Sequence, residues 1–125
     1  MTGTLATTPL SSAPEVLRGD VPGFEANIYS VGILLYRLVT GRFPIEASDL
    51  ATLSSRAEQG DHRPLRDLKP DLPARFVACV EKSLAPRAGD RLQRAGALEE
   101  ALGEALEIRN PEPDFVRRSR GPALL

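Results

Sequence analysis

Apolar residues recur at helical spacing through most of the chain, and the strongest run lies between Glu25 and Thr40. Its large apolar residues cover most of the helix circumference: Ile28, Val31, Ile33, Leu34, Leu35, Leu38 and Val39. A helix that is apolar on nearly all sides is expected at the centre of a domain. Gly41 is expected to end this helix in the left-handed conformation, and Pro44 prevents the helix from restarting.

Three weaker amphipathic patterns follow the central one. The first covers residues 48–59, the second begins at Pro73, and the third runs from about residue 93 to residue 108. Their apolar stripes are Leu50, Leu53 and Ala57; Phe76, Val77, Val80 and Leu84; and Leu98, Leu102 and Leu106. No pattern typical of a strand stands out. The sequence therefore predicts an all-α fold with about four main helices around one buried central helix, in which Leu34 and Leu35 are buried.

The composition at both ends of the chain is typical of loops. Residues 1–12 are rich in threonine and serine, and residues 109–125 contain three prolines and four arginines. The run Ala13-Pro14-Glu15-Val16-Leu17 is expected to open a short helix, because proline suits a first helical turn. We predict a loop over 1–12, a helical body over 13–108 that includes a polar loop at 61–71, and a flexible tail over 109–125.

Composition and charge exclude several classes of function. Hydrophobic residues make up 42% of the chain, and the net charge of -1 points to neither a nucleic acid nor an anionic membrane as partner. The single cysteine, Cys79, excludes an internal disulfide and a cysteine zinc cluster, which fits a reducing, cytoplasmic setting. The most apolar stretch, 31–39, contains Arg37 and is too short to cross a bilayer, so no membrane association is expected.

Four short motifs stand in a fixed order along the chain. They are Thr8-Pro9-Leu10-Ser11-Ser12-Ala13-Pro14-Glu15, Asn27-Ile28-Tyr29-Ser30-Val31-Gly32, Leu38-Val39-Thr40-Gly41-Arg42-Phe43-Pro44, and Leu84-Ala85-Pro86 with Arg91. In this order they resemble the end of the activation segment, the start and the end of the F helix, and a late turn of serine/threonine protein kinases. The resemblance covers roughly residues 7–107, is closest to bacterial kinases and implies part of a kinase C-terminal lobe.

The resemblance also implies roles for individual residues. The activation-segment remnant would shape substrate docking through Thr8, Pro9, Ser11 and Ser12. Glu15 and Arg91 match a glutamate–arginine pair that clamps this segment to the helical body, and arginine can hold a carboxylate by two hydrogen bonds. From the residues alone, two solvated surface charges would be the commoner arrangement.

Two positions depart from the kinase pattern. Asn27 matches the anchor at the start of the F helix, where the family usually has aspartate. Asparagine keeps one acceptor oxygen and loses the charge, which is either a tolerated change or a sign of relaxed constraint. Arg87 also stands where the family usually has aspartate.

The groups that phosphoryl transfer requires are not found in this sequence. These groups are a nucleotide cradle, a phosphate-binding lysine, metal-binding Asp and Asn, and a catalytic aspartate, and in the family all of them precede Ala-Pro-Glu. The runs His62-Arg63-Pro64 and Asp114-Phe115-Val116 only begin like His-Arg-Asp and Asp-Phe-Gly, and both lie after Ala13-Pro14-Glu15. We therefore expect no catalytic, cofactor-binding or metal-binding residue here, with ATP and Mg²⁺ belonging to a full-length parent. His62 is expected to be a solvated loop residue, and Cys79 a packing residue or passive surface thiol.

Two main function hypotheses remain open. In the first, the chain is a fragment of a serine/threonine kinase whose parent transfers the γ-phosphate of ATP to protein Ser or Thr, and the fragment is inactive alone. In the second, it is a stand-alone, non-catalytic helical protein-binding module derived from a kinase C-lobe. An unrelated helical adaptor is a third reading that rests on the amphipathic stripes alone. The expected partners are a protein substrate, the missing kinase N-lobe, or a second copy bound through apolar surface left uncovered on residues 28–39.

Overall fold

The computed structural model describes the backbone of residues 7–109 and the side chains of residues 9–100, 102 and 103. Within this range the chain forms seven α-helices and one 3₁₀ turn, without a strand, so the all-α prediction is confirmed. The helices are α1 (Thr7–Leu10), α2 (Pro14–Leu17), α3 (Phe24–Thr40), α4 (Leu50–Glu58), α5 (Leu65–Leu68), α6 (Ala74–Ser83) and α7 (Ala95–Arg109), and the 3₁₀ turn is Ala88–Asp90. The four predicted main helices correspond to α3, α4, α6 and α7.

Two short helices lie where the sequence predicted loops. In the 1–12 region, α1 forms a single turn, which tolerates Pro9 because the first turn does not use its missing N–H. In the 61–71 region, α5 forms because Leu65 is fully buried and its backbone N–H donates to the Glu81 carboxylate at 2.8 Å. Residues 1–6 and the predicted tail beyond Arg109 lie outside the described residues.

One side of α3 forms the centre of the main core. Its buried residues are Ala26, Ile28, Tyr29, Gly32, Ile33 and Tyr36. Leu65, Val77, Val80 and Leu84 join this cluster from α5, α6 and the end of α6. Gly41 ends α3 with φ 74°, a left-handed conformation that glycine adopts without steric cost, and its N–H donates to the Arg37 carbonyl.

The opposite side of α3 is not covered by the described residues, which corrects the expectation for Leu34. Leu34 is 52% exposed and Leu38 is 71% exposed, while Leu35 is partly buried against the main core. The error has a simple cause. Periodicity shows that a helix is apolar on several sides, but not how many of these sides the neighbouring elements cover.

Helices α3 and α6 approach each other closely at Gly32. A Cβ placed on Gly32 would lie 2.8 Å from the Cβ of Ser83 and 3.2 Å from Cδ2 of Leu84. Ser83 is fully buried, and its hydroxyl donates to the Cys79 carbonyl at 2.9 Å. Glycine at position 32 is therefore required for this helix crossing.

A second, smaller cluster joins α4 to the N-terminal segment. Ile45, Leu53 and Ala57 are buried in it, with Leu10 and Leu17 packed against them. No helix within residues 7–109 combines the length and apolar character needed to cross a lipid bilayer. The α4 cluster and the main core together hold residues 9–17 in place, and these residues contain the candidate site.

Candidate functional site

The structure brings Glu15 and Arg91 into direct contact. Arg91 Nη1 lies 2.8 Å from Glu15 Oε2, and Arg91 Nη2 lies 2.9 Å from Glu15 Oε1. The pair is therefore joined by two parallel hydrogen bonds, the strongest arrangement of an arginine with a carboxylate. Glu15 lies in α2 and Arg91 directly follows the 3₁₀ turn, so the contact connects the N-terminal segment to the C-terminal half of the fold.

All five N–H donors of Arg91 are used. Besides the two bonds to Glu15, its Nε donates to the Ala85 carbonyl at 2.8 Å, Nη1 to the Glu25 carbonyl at 2.9 Å and Nη2 to the Pro86 carbonyl at 3.1 Å. The Arg91 side chain is completely buried, and that of Glu15 is 16% exposed. A buried charge is tolerated when it is paired and its remaining donors are satisfied, as they are here.

The surroundings favour the charged form of the pair. The hydrogen bonds from Arg91 hold the pKa of Glu15 below its usual value, and they outweigh the opposite effect of partial burial. The Arg91 guanidinium also lies over the Tyr29 ring, 4.9 Å from its centroid, which adds a cation–π contact. Burial raises the pKa of Tyr29 to about 12, so the Tyr29 side chain is neutral at physiological pH.

The segment before Glu15 contains the residues that the kinase resemblance assigns to substrate docking. The Ser30 hydroxyl on α3 donates to the Ser11 carbonyl at 2.7 Å, and the Ser12 N–H donates to the Pro9 carbonyl at 3.1 Å. Pro9, Ser11 and Ser12 are all half-buried. Thr8 lies within α1, and its side chain is outside the described part of the chain. The structure thus fixes the backbone of this segment, and the docking role remains a prediction.

Asn27 lies on the uncovered side of α3, away from the Glu15–Arg91 pair. Its side chain is exposed, and its backbone N–H donates to the Gly23 carbonyl at 3.2 Å. Asn27, Val31, Leu34 and Leu38 follow one another at spacings of three or four residues and therefore form one stripe along the helix. We call this stripe the open face of α3.

Sequence reasoning missed a second polar contact. His62 Nε2 lies 2.6 Å from Glu81 Oε1, and the His62 side chain is only 14% exposed, so the expectation of a solvated loop residue is wrong. Burial raises the pKa of Glu81, but the hydrogen bonds from His62 and from the Leu65 N–H outweigh burial and hold this pKa below its usual value. The sequence carries no signal for a pair 19 residues apart that joins a loop to the third turn of α6.

The described residues contain no cluster of three or more His, Cys, Asp or Glu that could hold a metal ion. Cys79 is buried, and burial raises the pKa of its thiol, so of the two readings offered for it the packing role fits. The site is built from hydrogen bonds and an ion pair that fix a backbone segment.

The relatives of this chain are protein kinases. A tyrosine-protein kinase of Myxococcus xanthus, MasK, is 32% identical over 98% of the chain. The serine/threonine-protein kinases PknH and PknK of Mycobacterium tuberculosis are each 32% identical, over 98% and 81% of the chain. The chain covers 22% of MasK, 20% of PknH and 9% of PknK, so it corresponds to a small part of each relative.

Among solved structures, the twitchin kinase region of C. elegans has a similar fold. The TM-score is 0.63 over 77% of this chain and 16% of the twitchin chain, at 22% sequence identity, a level that shows the fold alone. No protein-family model matches the chain.

The sequence is similar to protein kinases over as much as 98% of this chain, and the fold is similar to that of part of a kinase region. More particularly, the similar proteins are bacterial kinases, of which PknH is named a serine/threonine-protein kinase and MasK a tyrosine-protein kinase. The resemblance inferred from the four motifs is thereby confirmed.

Proposed function

We propose that this chain acts, within a serine/threonine protein kinase, as the part of the C-terminal lobe that docks the protein substrate and holds the end of the activation segment. The observation that carries the proposal is the Glu15–Arg91 pair, which joins residues 76 positions apart by two hydrogen bonds. A contact of this kind fixes the segment 9–15 relative to α3. The parent kinase would supply ATP and Mg²⁺ binding.

The docking surface in this proposal consists of residues 8–12. The Ser30–Ser11 hydrogen bond and the packing of Leu10 on the α4 cluster give this segment a fixed shape. A segment that is ordered before its partner arrives loses less conformational entropy on binding. We assign Thr8 to the neighbourhood of the acceptor hydroxyl, as the resemblance implies.

The open face of α3 has a different role in the proposal. Leu34 and Leu38 leave apolar area exposed, and Asn27 lies on the same stripe. Buried apolar surface stabilises a fold, so this face is suited to cover by another protein surface. In a complete kinase we assign that cover to the catalytic-loop region and the helices near it, with Asn27 as the polar anchor.

We also propose that residues 1–125 alone do not transfer phosphate. Phosphoryl transfer depends on several groups that position the phosphates and stabilise their charge together. The Glu15–Arg91 pair stabilises the fold and directs no free charge toward a transferring group, because all five Arg91 donors are already used.

The test is a radiolabelled ATP assay with the purified chain and a general acceptor protein. The preparation must first be shown free of host kinases, and a mock purification from cells without the gene is the matched blank. Incorporation equal to this blank is expected. Turnover above it would show an active site among these residues and would overturn the assignment.

A stand-alone binding module is the competing function. The observation that favours it is the absence of unsatisfied buried side-chain nitrogen or oxygen atoms within the described residues, as expected for a self-contained unit. The reading frame upstream of Met1 distinguishes the two functions. A nucleotide-binding lobe in the same frame would support the kinase, whereas a closed frame and a specific partner of the purified chain would support the module.

A further inference from the structure

A concave surface outside the Glu15–Arg91 site collects arginine side chains. It has a volume of ≈ 150 Å³ and lies between the end of α3, α4 and α5. Its polar lining is Arg42, Arg56, Arg63 and Glu46, and its apolar lining includes Phe43 and Leu68. Three cations and one carboxylate give the lining side chains a formal charge of +2, although the whole chain carries -1. We call this surface the arginine concavity.

Two of the three arginines have partners within the fold. Arg42 Nη2 lies 2.6 Å from Glu46 Oε1, and Arg56 donates to the Glu46 carbonyl at 3.1 Å and to Asp61 Oδ2 at 3.4 Å. Both side chains remain partly open to solvent, at 45% and 35% exposure. They therefore surround the concavity in fixed orientations and still have unused N–H donors.

Arg63 is the exception. Its guanidinium has no hydrogen-bond or ion-pair partner among the described residues, and its side chain is exposed. Its backbone, in contrast, is held on both sides, because its N–H donates to the Pro44 carbonyl at 3.0 Å and its carbonyl accepts from the Tyr36 hydroxyl at 2.7 Å. A cation on a rigid backbone, unpaired beside an apolar floor, is suited to binding an anionic group from outside.

The charge pattern identifies the kind of anion. Glu46 and Asp61 are paired with Arg42 and Arg56 and offset part of their positive charge, which disfavours a continuous phosphodiester backbone that needs a run of cations. A short protein segment with one carboxylate needs only a single cation, and Arg63 is the arginine of the concavity whose guanidinium has no hydrogen-bond or ion-pair partner among the described residues. The floor of Phe43 and Leu68 can cover an apolar neighbour of that carboxylate, and Phe43 is itself fixed by Arg37, which lies 4.1 Å from its ring centroid.

We propose that the arginine concavity binds an acidic segment of a partner protein, with an Asp or Glu carboxylate on Arg63 and an adjacent apolar side chain on Phe43 and Leu68. This proposal does not depend on the proposed kinase function, because none of these residues belongs to the docking segment 8–12 or to the Glu15–Arg91 pair. The proposal names a ligand for a surface to which the kinase resemblance assigns none.

The binding test uses the full 125-residue chain and a rhodamine-labelled peptide of alternating Glu and Leu, followed by fluorescence anisotropy. Binding should weaken as ionic strength rises from about 0.05 M to about 0.15 M, because exposed charges are screened over shorter distances. A peptide with Gln in place of Glu, a phosphoserine peptide and a single-stranded oligonucleotide are the comparison ligands. The Glu peptide is expected to bind more tightly than the other three.

Arg63→Glu is the decisive variant, and Arg87→Glu is its matched control. Arg87 is also an exposed arginine, but it lies outside the concavity. Arg63→Glu should weaken peptide binding about tenfold or more, the loss expected for a charge-assisted contact. Arg87→Glu should have at most about a twofold effect, since it changes only a screened surface charge. If Arg63→Glu does not fold, Arg63→Gln, which keeps both backbone hydrogen bonds, takes its place with the same expected direction.

Three results would overturn the proposal. Equal weakening by the Arg63 and Arg87 variants would show that binding depends on the net charge of the chain and not on Arg63 in particular. Equal affinity for the Gln peptide would show that the carboxylate does not contribute to binding. Tighter binding of the phosphoserine peptide or of the oligonucleotide would assign the concavity to phosphate rather than to an acidic protein segment.

Discussion

Replacement of Arg91 tests whether the Glu15–Arg91 contact stabilises this fold. In Arg91→Ala, the carboxylate of Glu15 and the carbonyls of Glu25, Ala85 and Pro86 lose five hydrogen bonds in a site that is fully buried around the guanidinium. Removing one partner of a buried ion pair costs about 3–5 kcal/mol. Since the free energy of unfolding of a small domain is about 5–15 kcal/mol, the variant should lose much of its stability.

Arg91→Lys tests whether the positive charge at position 91 is enough, or whether the hydrogen-bond geometry of the guanidinium is also needed. Lysine keeps a positive charge but offers three donors on one nitrogen, so it cannot reproduce two parallel bonds to Glu15 and three further bonds in different directions. We expect a loss of about 2–3 kcal/mol, which corresponds to two or more unmade hydrogen bonds to buried groups. Glu15→Gln should cost less than Arg91→Ala, because the amide oxygen still accepts one of the two hydrogen bonds from Arg91.

Urea unfolding followed by far-ultraviolet circular dichroism at neutral pH provides the free energies. Arg94→Ala is the control. Arg94 forms an ion pair with Glu100 at 3.7 Å, and the two side chains are 68% and 70% exposed. Exposed pairs contribute little, so this control should unfold close to the wild type. Equal losses in Arg91→Ala and Arg94→Ala, or a loss under about 1 kcal/mol at position 91, would refute the reasoning.

Three further predictions concern the helix crossing, pH and association. Gly32→Ala should destabilise by about 1–3 kcal/mol in the same urea assay, because its Cβ would lie 2.8 Å from that of Ser83, whereas Gly103→Ala, with open space around it, should not. The pKa values of Glu15 and Glu81 are lowered in the fold, so the stability they add is present above their unfolded pKa of about 4.3 and is lost as pH falls through the lower folded values. Glu15→Gln should therefore flatten the pH dependence of unfolding below about pH 5, and an unchanged slope would contradict this. If the open face of α3 associates, Leu38→Lys should shift the sedimentation profile toward monomer, while Lys82→Glu on exposed α6 surface should not.

Much of the fold could be predicted from local sequence patterns. The long apolar run located α3, Gly41 marked its end, and a proline preceded the start of α6, because these features act within one turn of the chain. The contact between Glu15 and Arg91 was different, since no local pattern joins residues so far apart. The kinase resemblance supplied it, and the residues alone favoured solvated charges.

The features that sequence reasoning missed all depend on tertiary packing. The one-turn helix α5 forms where Leu65 is buried against α6, and His62 is paired with Glu81 from the same helix. Leu34 was predicted to be buried because its helix is apolar on several sides, yet the described neighbours cover only one of them. Which side is covered is a property of the arrangement of helices, which hydrophobic periodicity does not encode.

Two arginines in this structure show why residue type alone does not identify a functional site. Arg91 is 1% exposed, and its five donors are bound by one carboxylate and three carbonyls, so no ligand can approach it without breaking the fold. Arg63 has a backbone that is equally well held, but its guanidinium is exposed and unpaired within the described residues. The free energy of an arginine contact is available to a partner only where the fold has not already used it. On this ground Arg91 belongs to the stability of the lobe, and Arg63 to recognition.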